Sequence, residues 1–406
     1  MKISKLDEYI RKKEGLASLT RADIERMQLL KLNTVLRREK VRGGFYKGLP
    51  ESVSSLDELR SLPFTTPEQL SKSGGSMLLL SQTEISRIIT DTTSGTTGQA
   101  KRVFYTASDC ENTVEFFAAG LSELVFPGSS TLICMPFSGP NGLGDLVARA
   151  VERLGAKPIR AGAGLTLGEY GEILQNERPD AFVGMPVQLL SILRFCGKGT
   201  LRRALVSGDA CPEKVLFLLS GYGLELFPHY GSREMALGGA VTCPAHEGMH
   251  LRENHMIAEI IGPDGAPLQE GERGELVITT IGMQAMPLIR YRTGDAARLL
   301  TEVCPCGSVL KRLDRVGRGD NPVEVLDSTL FVFEDLVDYS VSLSDGGVVL
   351  DVLTSGSLSQ EELAGAVRGL LPELGVCVRA RTAAGGDRLC YQSKRRIKLL
   401  QQGGVE

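Results

Sequence analysis

The sequence predicts an α/β protein. It reads as a large N-terminal domain of parallel-rich sheets with flanking helices, a β-rich subdomain, and a small mobile α+β C-terminal domain. Three observations predict this. Short β-type apolar runs alternate with longer amphipathic stretches through most of the chain. From His250 the texture changes to strand, turn and strand. The last segment places one amphipathic stretch between two β-type runs, as a helix packed on a small sheet does.

Taken in order, the first segment is helical, with apolar residues near the helix period in ADIERMQLLKLNTVLRREK. RIIT, TLICMPF and LRRALVS are strand candidates; ENTVEFFAAGLSELV, NGLGDLVARAVERLG and PEKVLFLLSGYG are helix candidates. Their alternation implies crossover connections between parallel strands. HMIAEIIGPDGAPLQEGERGELVITT reads as two antiparallel strands with a turn at Pro263-Asp264-Gly265. At the end, VVLDVLTSG and VCVRARTA are strand-like and flank the helix candidate SQEELAGAVRGLLPEL. Glycines and charges cluster at Arg318-Gly319-Asp320, so the expected domains are 1–317 and 318–406.

Composition narrows the function classes. A chain of 406 residues is too long for one ordinary core. Hydrophobic residues at 42% and charged residues at 23% suit a soluble globular protein. A net charge of −3 offers no bulk attraction for nucleic acid or an anionic membrane surface. No apolar run approaches a membrane span, and MKISKLDEYIRKKEG lacks the apolar centre of a secretion signal. Nine cysteines, mostly in core-like contexts, point to a reducing cytoplasm with thiols free or holding metal. With no Trp in the chain, ligand stacking falls to Tyr, Phe or His.

Two features carry chemistry. TTSGTTGQAKRVFYT, from Thr92 to Thr106, is a glycine- and hydroxyl-rich loop between two strand candidates. Glycine permits the dihedrals that turn backbone N–H groups toward a phosphate, and Ser and Thr add donors. Lys101 adds a cation; a plain mobile polar loop is the alternative. The second feature is a pair of short chelating motifs, Cys243-Pro-Ala-His246 and Cys304-Pro-Cys306. Together they make a Cys₃His set of structural-zinc type, with His250 and His255 as rival ligands and ordinary buried thiols as the alternative.

SGTTGQAK resembles the phosphate loop of adenylate-forming enzymes, the superfamily of acyl-CoA synthetases, luciferases and peptide-synthetase adenylation domains. SGDACP, HYGSREMALGG, MPLIRYRTGDAARL and VGRGDN resemble four further segments of that superfamily, in the same order. LNTVLRREKVRGGFYKGLP, HEGMHLRENHMIAEII and CPCG resemble the phenylacetate–CoA ligase group. The resemblance implies that a carboxylate and ATP give an acyl-adenylate, which coenzyme A then converts to a thioester.

It also implies residue roles. Thr93, Ser94, Gly95, Thr96, Thr97 and Gly98 cradle the outer phosphates beside Lys101. Glu234 holds Mg²⁺, and Ser232, beside Gly231, positions the α-phosphate. Ser207, Gly208 and Asp209 line the adenine pocket; Tyr230, after His229, stacks on the base. Asp295 accepts the ribose hydroxyls, Arg318 bridges ribose and phosphate, and Asp320 is the hinge. Phe137, Gly139, Asn141, Met185 and Pro186 border an apolar pocket suited to an aryl or alkyl acid.

The C-terminal segment departs from the superfamily pattern. The glycine of its thioester-forming loop is missing or replaced after Asp320-Asn321-Pro322. Its Gly-Lys is replaced by Ser393-Lys394; Lys394 is the candidate adenylation lysine and Lys398 competes. Three readings therefore stand: an acid–CoA ligase, an adenylating enzyme with another thiol or amine acceptor, and a nucleotide-binding homologue without ligase activity. The expected partners are ATP/AMP, Mg²⁺, coenzyme A, a small carboxylic acid and structural Zn²⁺, with no nucleic acid and no membrane; a homodimer is open.

Overall fold

The computed structural model describes residues 4–91, 101–209, 211–317, 322–344, 347–370, 374–390 and 398–399. The chain divides into two compact units: Met1–Glu123 with His229–Gly319, and Leu124–Pro228 with Asp320–Glu406.

In the first unit the long helix Arg21–Arg42 begins where Thr20 and Asp23 form a capping box and ends at Gly43, whose φ of 64° lies in the left-handed region. It buries Leu32, Val35 and Leu36 against Tyr46, Leu59, Leu62, Ile257 and Ile289. Arg87–Asp91 pairs antiparallel with Lys101–Tyr105, the register closing at Asp91↔Lys101. Three antiparallel strands follow in the order Met256–Ile261, Gly274–Thr280, Tyr291–Ala297. The expected turn at Pro263-Asp264-Gly265 is present, with Gly265 at φ 81°. The third strand is irregular: between the pairs Val277↔Arg292 and Glu275↔Ala296, Thr293, Gly294 and Asp295 stand opposite Leu276 alone. Such a bulge bends a strand and re-aims its side chains. A small antiparallel ladder joins His229–Tyr230, Ala240–Thr242, Met249–Leu251 and Arg312–Leu313.

The second unit holds the expected parallel sheet, ordered Lys157–Arg160, Ser130–Ile133, Ala181–Gly184, Arg203–Val206 and then the strand beginning at Glu225. Helices Leu143–Arg153, Leu167–Asn176, Pro186–Cys196 and Glu213–Gly221 make the crossovers. Its central strand Ala181–Gly184 is a continuous apolar, fully buried run, as a strand covered on both faces is. The C-terminal segment forms a mixed sheet in which Gly347–Thr354 pairs antiparallel with Leu336–Ser344 and parallel with Gly375–Thr382. Helices Pro322–Leu330 and Gln360–Leu370 accompany it. Leu336, Val337 and Leu350 share one core with Leu132, Leu190 and Leu193.

Candidate functional site

Three separate pieces of the first unit build the site. The strand Lys101–Tyr105 supplies Lys101. A tight turn after the strand end His229–Tyr230 supplies Glu234, at the short helix Arg233–Met235. That turn is held by Met235 N–H and Leu237 N–H, which both donate to Ser232 O. Ala236 and Leu237 both take positive φ, 53° and 65°, a conformation that is costly without glycine. Gly231 is required by close approach, because a Cβ there would lie 2.2 Å from Leu237 O. The strand Tyr291–Ala297 supplies Tyr291 at its start and Asp295 from its bulge.

Lys101 Nζ lies 3.8 Å from Glu234 Oε1, and both side chains are less than a fifth exposed. The Tyr291 hydroxyl stands with them, donating to Glu234 Oε1 at 3.1 Å and accepting from Lys101 Nζ at 3.3 Å. Tyr230 OH donates to Asp295 Oδ2 at 2.8 Å, and Asp295 N–H is held by Thr293 Oγ1 at 3.1 Å. Burial, reinforced by Asp295, pushes the Tyr230 phenol well above its ordinary value, so it stays a neutral donor. His229 packs beside Phe116 and Phe117, with centroids 6.1 and 5.8 Å away. Burial, with Arg252 nearby, lowers His229 to about 4 and keeps it uncharged. Ser232 Oγ has no hydrogen-bond partner among the described residues.

The structure thus brings Lys101, Glu234, Tyr230 and Asp295 together. Thr93, Ser94, Gly95, Thr96, Thr97, Gly98, Arg318, Asp320 and Lys394 lie outside the described residues. In the second unit, Ser207 N–H donates to Gly184 O at 2.9 Å, at the C-terminal ends of neighbouring strands, and Asp209 follows. Gly208 has φ 89°, and its surroundings are Met185 and Met135. Met185 caps the helix that Pro186 opens. Phe137 lies under the Arg160 guanidinium at 5.7 Å. Gly139 is exposed in the following loop, where Asn141 is tied to Asp145 and Arg149. The order of the strands reverses between Ser130–Ile133 and Ala181–Gly184, and crevices at such switch points take ligands.

Cys243, Cys304 and Cys306 also converge, but the fourth member of their group is His250 and not His246. The ligand atoms of these four all lie within 4.8 Å of one another. Cys243 Sγ is 3.6 Å from Cys304 Sγ, and Cys306 Sγ is 3.4 Å from His250 Nε2. His246 is exposed at a turn with φ 56°. The reason is strand geometry. His250 sits on Met249–Leu251 directly opposite Arg312, and that pairing carries it to the cysteine loop before Arg312–Leu313. His255 is buried elsewhere, its backbone bonded to Arg252 and Ile281.

Tyr291 lies within MPLIRYRTGDAARL, a segment whose motif points to Asp295. The available signal was its spacing, four residues before Asp295 on one strand.

Residues 86–286 match the family described as "AMP-binding enzyme". The chain is 30% identical over 305 residues to a phenylacetate-coenzyme A ligase of Escherichia coli (strain K12), covering 70% of this chain and 66% of that one, just under two thirds of its length. A phenylacetate-coenzyme A ligase of Thermus thermophilus is 28% identical over 331 residues, 75% of this chain and 73% of the relative. Among solved structures, 2-hydroxyisobutyryl-CoA ligase in its postadenylation state shares the fold at a TM-score of 0.75 and 19% identity, over 95% of this chain and 90% of that one. No helix among the described residues is long and apolar enough to cross a membrane. Over residues 86–286 the chain is thus similar to the AMP-binding enzymes, and phenylacetate–CoA ligases are among its relatives.

Proposed function

We propose that the protein is an ATP-dependent carboxylic acid–CoA ligase of the phenylacetate–CoA ligase type. The convergence of Lys101, Glu234, Tyr230 and Asp295 from separate segments of one unit carries this reading. A carboxylate oxygen of the acid attacks the α-phosphorus of ATP, the bond to the β-phosphate oxygen breaks, and pyrophosphate leaves. The thiol of coenzyme A, after losing its proton, then attacks the acyl carbon and AMP leaves.

The residues divide the work by charge. Lys101 binds the leaving phosphates together with the loop Thr93–Gly98, and Ser232 offers its hydroxyl to the α-phosphate. Asp295, steadied by the Tyr230 phenol, accepts the ribose hydroxyls. Lys394 meets the carboxylate and α-phosphate during adenylation; Arg318 bridges ribose and phosphate, and Asp320 is the hinge between domains 1–317 and 318–406. Glu234 suits a hard cation: Tyr291 and Lys101 both sit at Oε1, and Oε2 has no hydrogen-bond partner among the described residues. Magnesium bound there supplies charge neutralisation on the triphosphate. Ser207, Gly208 and Asp209 line the adenine side. The acid is placed beside Phe137, Met185 and Pro186, whose apolar side chains suit aryl or arylacetic acids. Nine cysteines in mostly core-like sequence contexts suit a cytoplasmic enzyme.

Cys243, His250, Cys304 and Cys306 fit a structural zinc. Ligands about 2.3 Å from a tetrahedral centre stand about 3.8 Å apart, close to the observed 3.6 and 3.4 Å. Elemental analysis of purified protein should give about one zinc per chain; a metal-free protein whose stability ignores chelators rejects the site.

The central test is exchange of labelled pyrophosphate into ATP across aryl, arylacetic and short aliphatic acids. Acid-dependent exchange with CoA-dependent AMP release is expected. No exchange with any acid overturns the reading, and exchange without CoA-dependent turnover moves the acyl group to another acceptor.

A further inference from the structure

Tyr291 is held far more tightly than ring packing requires. Its ring is 1% exposed, and the strand before it is fixed from several sides. Tyr291 pairs with Ile278 in the antiparallel ladder. Thr65 N–H donates to Arg290 O, and Arg292 N–H donates to Thr65 O, both at 2.9 Å. Thr65 Oγ1 donates to Ile289 O at 2.6 Å, and the Tyr46 hydroxyl, 2.8 Å from Thr65 Oγ1, accepts from Ile289 N–H at 3.3 Å. Arg290, clamped by buried Glu259 at 3.0 and 3.1 Å, completes the pedestal. A phenylalanine would fill the same apolar space; what the pedestal fixes in addition is one hydroxyl between two charges.

We propose that Tyr291 is a positioning residue for nucleotide loading. Its hydroxyl holds the Lys101 ammonium and the Glu234 carboxylate at a set spacing, so that the phosphate-binding cation and the metal-binding carboxylate are presented together. This rests on the reading of Lys101 and Glu234 given under Proposed function. The physical argument is competition. At 3.8 Å the two charges attract, and a direct, partly buried ion pair has to be broken before phosphate and magnesium can take its members. A neutral phenol that donates to Oε1 and accepts from Nζ satisfies both groups without neutralising either, and Oε2 is left for the metal.

The test is ATP binding by calorimetry to full-length wild type and Tyr291→Phe over a magnesium series, with AMP in the absence of magnesium as reference. The variant should lose about tenfold in affinity for ATP with magnesium, the effect of losing one hydrogen bond to charged groups. Its magnesium midpoint should rise, and AMP affinity should change by less than about twofold, because AMP relies on the Asp295 end. An unchanged magnesium midpoint, or equal losses for ATP and AMP as a merely structural role gives, overturns the proposal. So does a wild type that binds no ATP. A wild type that binds ATP with magnesium but shows no acid-dependent exchange rejects the ligase reading, while the binding series still decides Tyr291. Should Tyr291→Phe not fold, Tyr46→Phe loosens the same strand end; about a threefold loss confined to ATP with magnesium supports the proposal, and no change overturns it.

Discussion

Asp295, proposed above to accept the ribose hydroxyls, leaves the regular ladder because Thr293, Gly294 and Asp295 oppose a single residue of the neighbouring strand. Gly294, at φ 73°, permits the bend. Asp295→Asn should weaken AMP and ATP alike by about 10-fold or more, with melting nearly unchanged; calorimetric titration of both nucleotides checks this. Asp295 was legible from its motif, whereas its bond to Tyr230 was not, since the two are joined only through space. Glu39 gives a second residue-scale expectation. It is fully buried, Oε2 accepts Tyr46 N–H at 3.1 Å, and Oε1 has no partner among the described residues. Burial raises its carboxyl to about 7. An unfolded Glu titrates near 4.3, so across roughly pH 4.3 to 7 the folded state keeps a proton that the unfolded chain has lost. Its stabilising contribution is complete below that window and disappears as pH rises through the folded value. Glu39→Gln should therefore flatten the pH dependence and stabilise the protein at pH 8 by about 1–2 kcal/mol. Denaturant unfolding of both proteins at pH 5 and pH 8 measures it; parallel curves would contradict the assignment.

At the scale of elements, the turn from Gly231 to Leu237 is the most constrained part of the site. Two residues at positive φ and a glycine pressed against Leu237 O hold Glu234 in place. Gly231→Ala cannot keep that approach, and pyrophosphate exchange should fall about 100-fold, as it does when a catalytic group shifts by an ångström. Circular dichroism should stay native, because the change is confined to one turn. The Cys243–His250–Cys304–Cys306 group ties the ladder of Ala240–Thr242 and Met249–Leu251 to the loop before Arg312. Chelation should lower the melting temperature by several degrees, and His250→Ala should do the same where His246→Ala does not. Strand and helix periods were readable where apolar spacing was regular, as in Arg21–Arg42 and the pair Met256–Ile261 with Gly274–Thr280. The helix Pro322–Leu330 was not, because PVEVLDSTL mixes β-branched residues into a helical period. The choice of His250 over His246 was equally hidden, since both lie within reach of Cys243 along the chain and only strand pairing separates them.

For the whole molecule, the C-terminal segment and residues 124–228 build one core in the second unit. Arg194 joins them, donating to Phe331 O and Leu336 O at 2.6 Å each and lying 5.5 Å over the Phe331 ring. Arg194→Ala should cost about 3–6 kcal/mol, two charged hydrogen bonds' worth, and expose residues 322–390 to limited proteolysis before the rest. Uniform cleavage would count against that role. The sequence by itself determined the α/β class, the alternation that makes a parallel sheet, and the identity of the charged residues. Hydrophobic period and motif chemistry are local properties and are written along the chain. Only the tertiary structure decided which charges meet: Lys101 with Glu234 and Tyr291, Tyr230 with Asp295, three cysteines with His250. These contacts join residues up to 190 positions apart. Their partners are chosen by strand register and turn conformation, which a linear pattern does not encode.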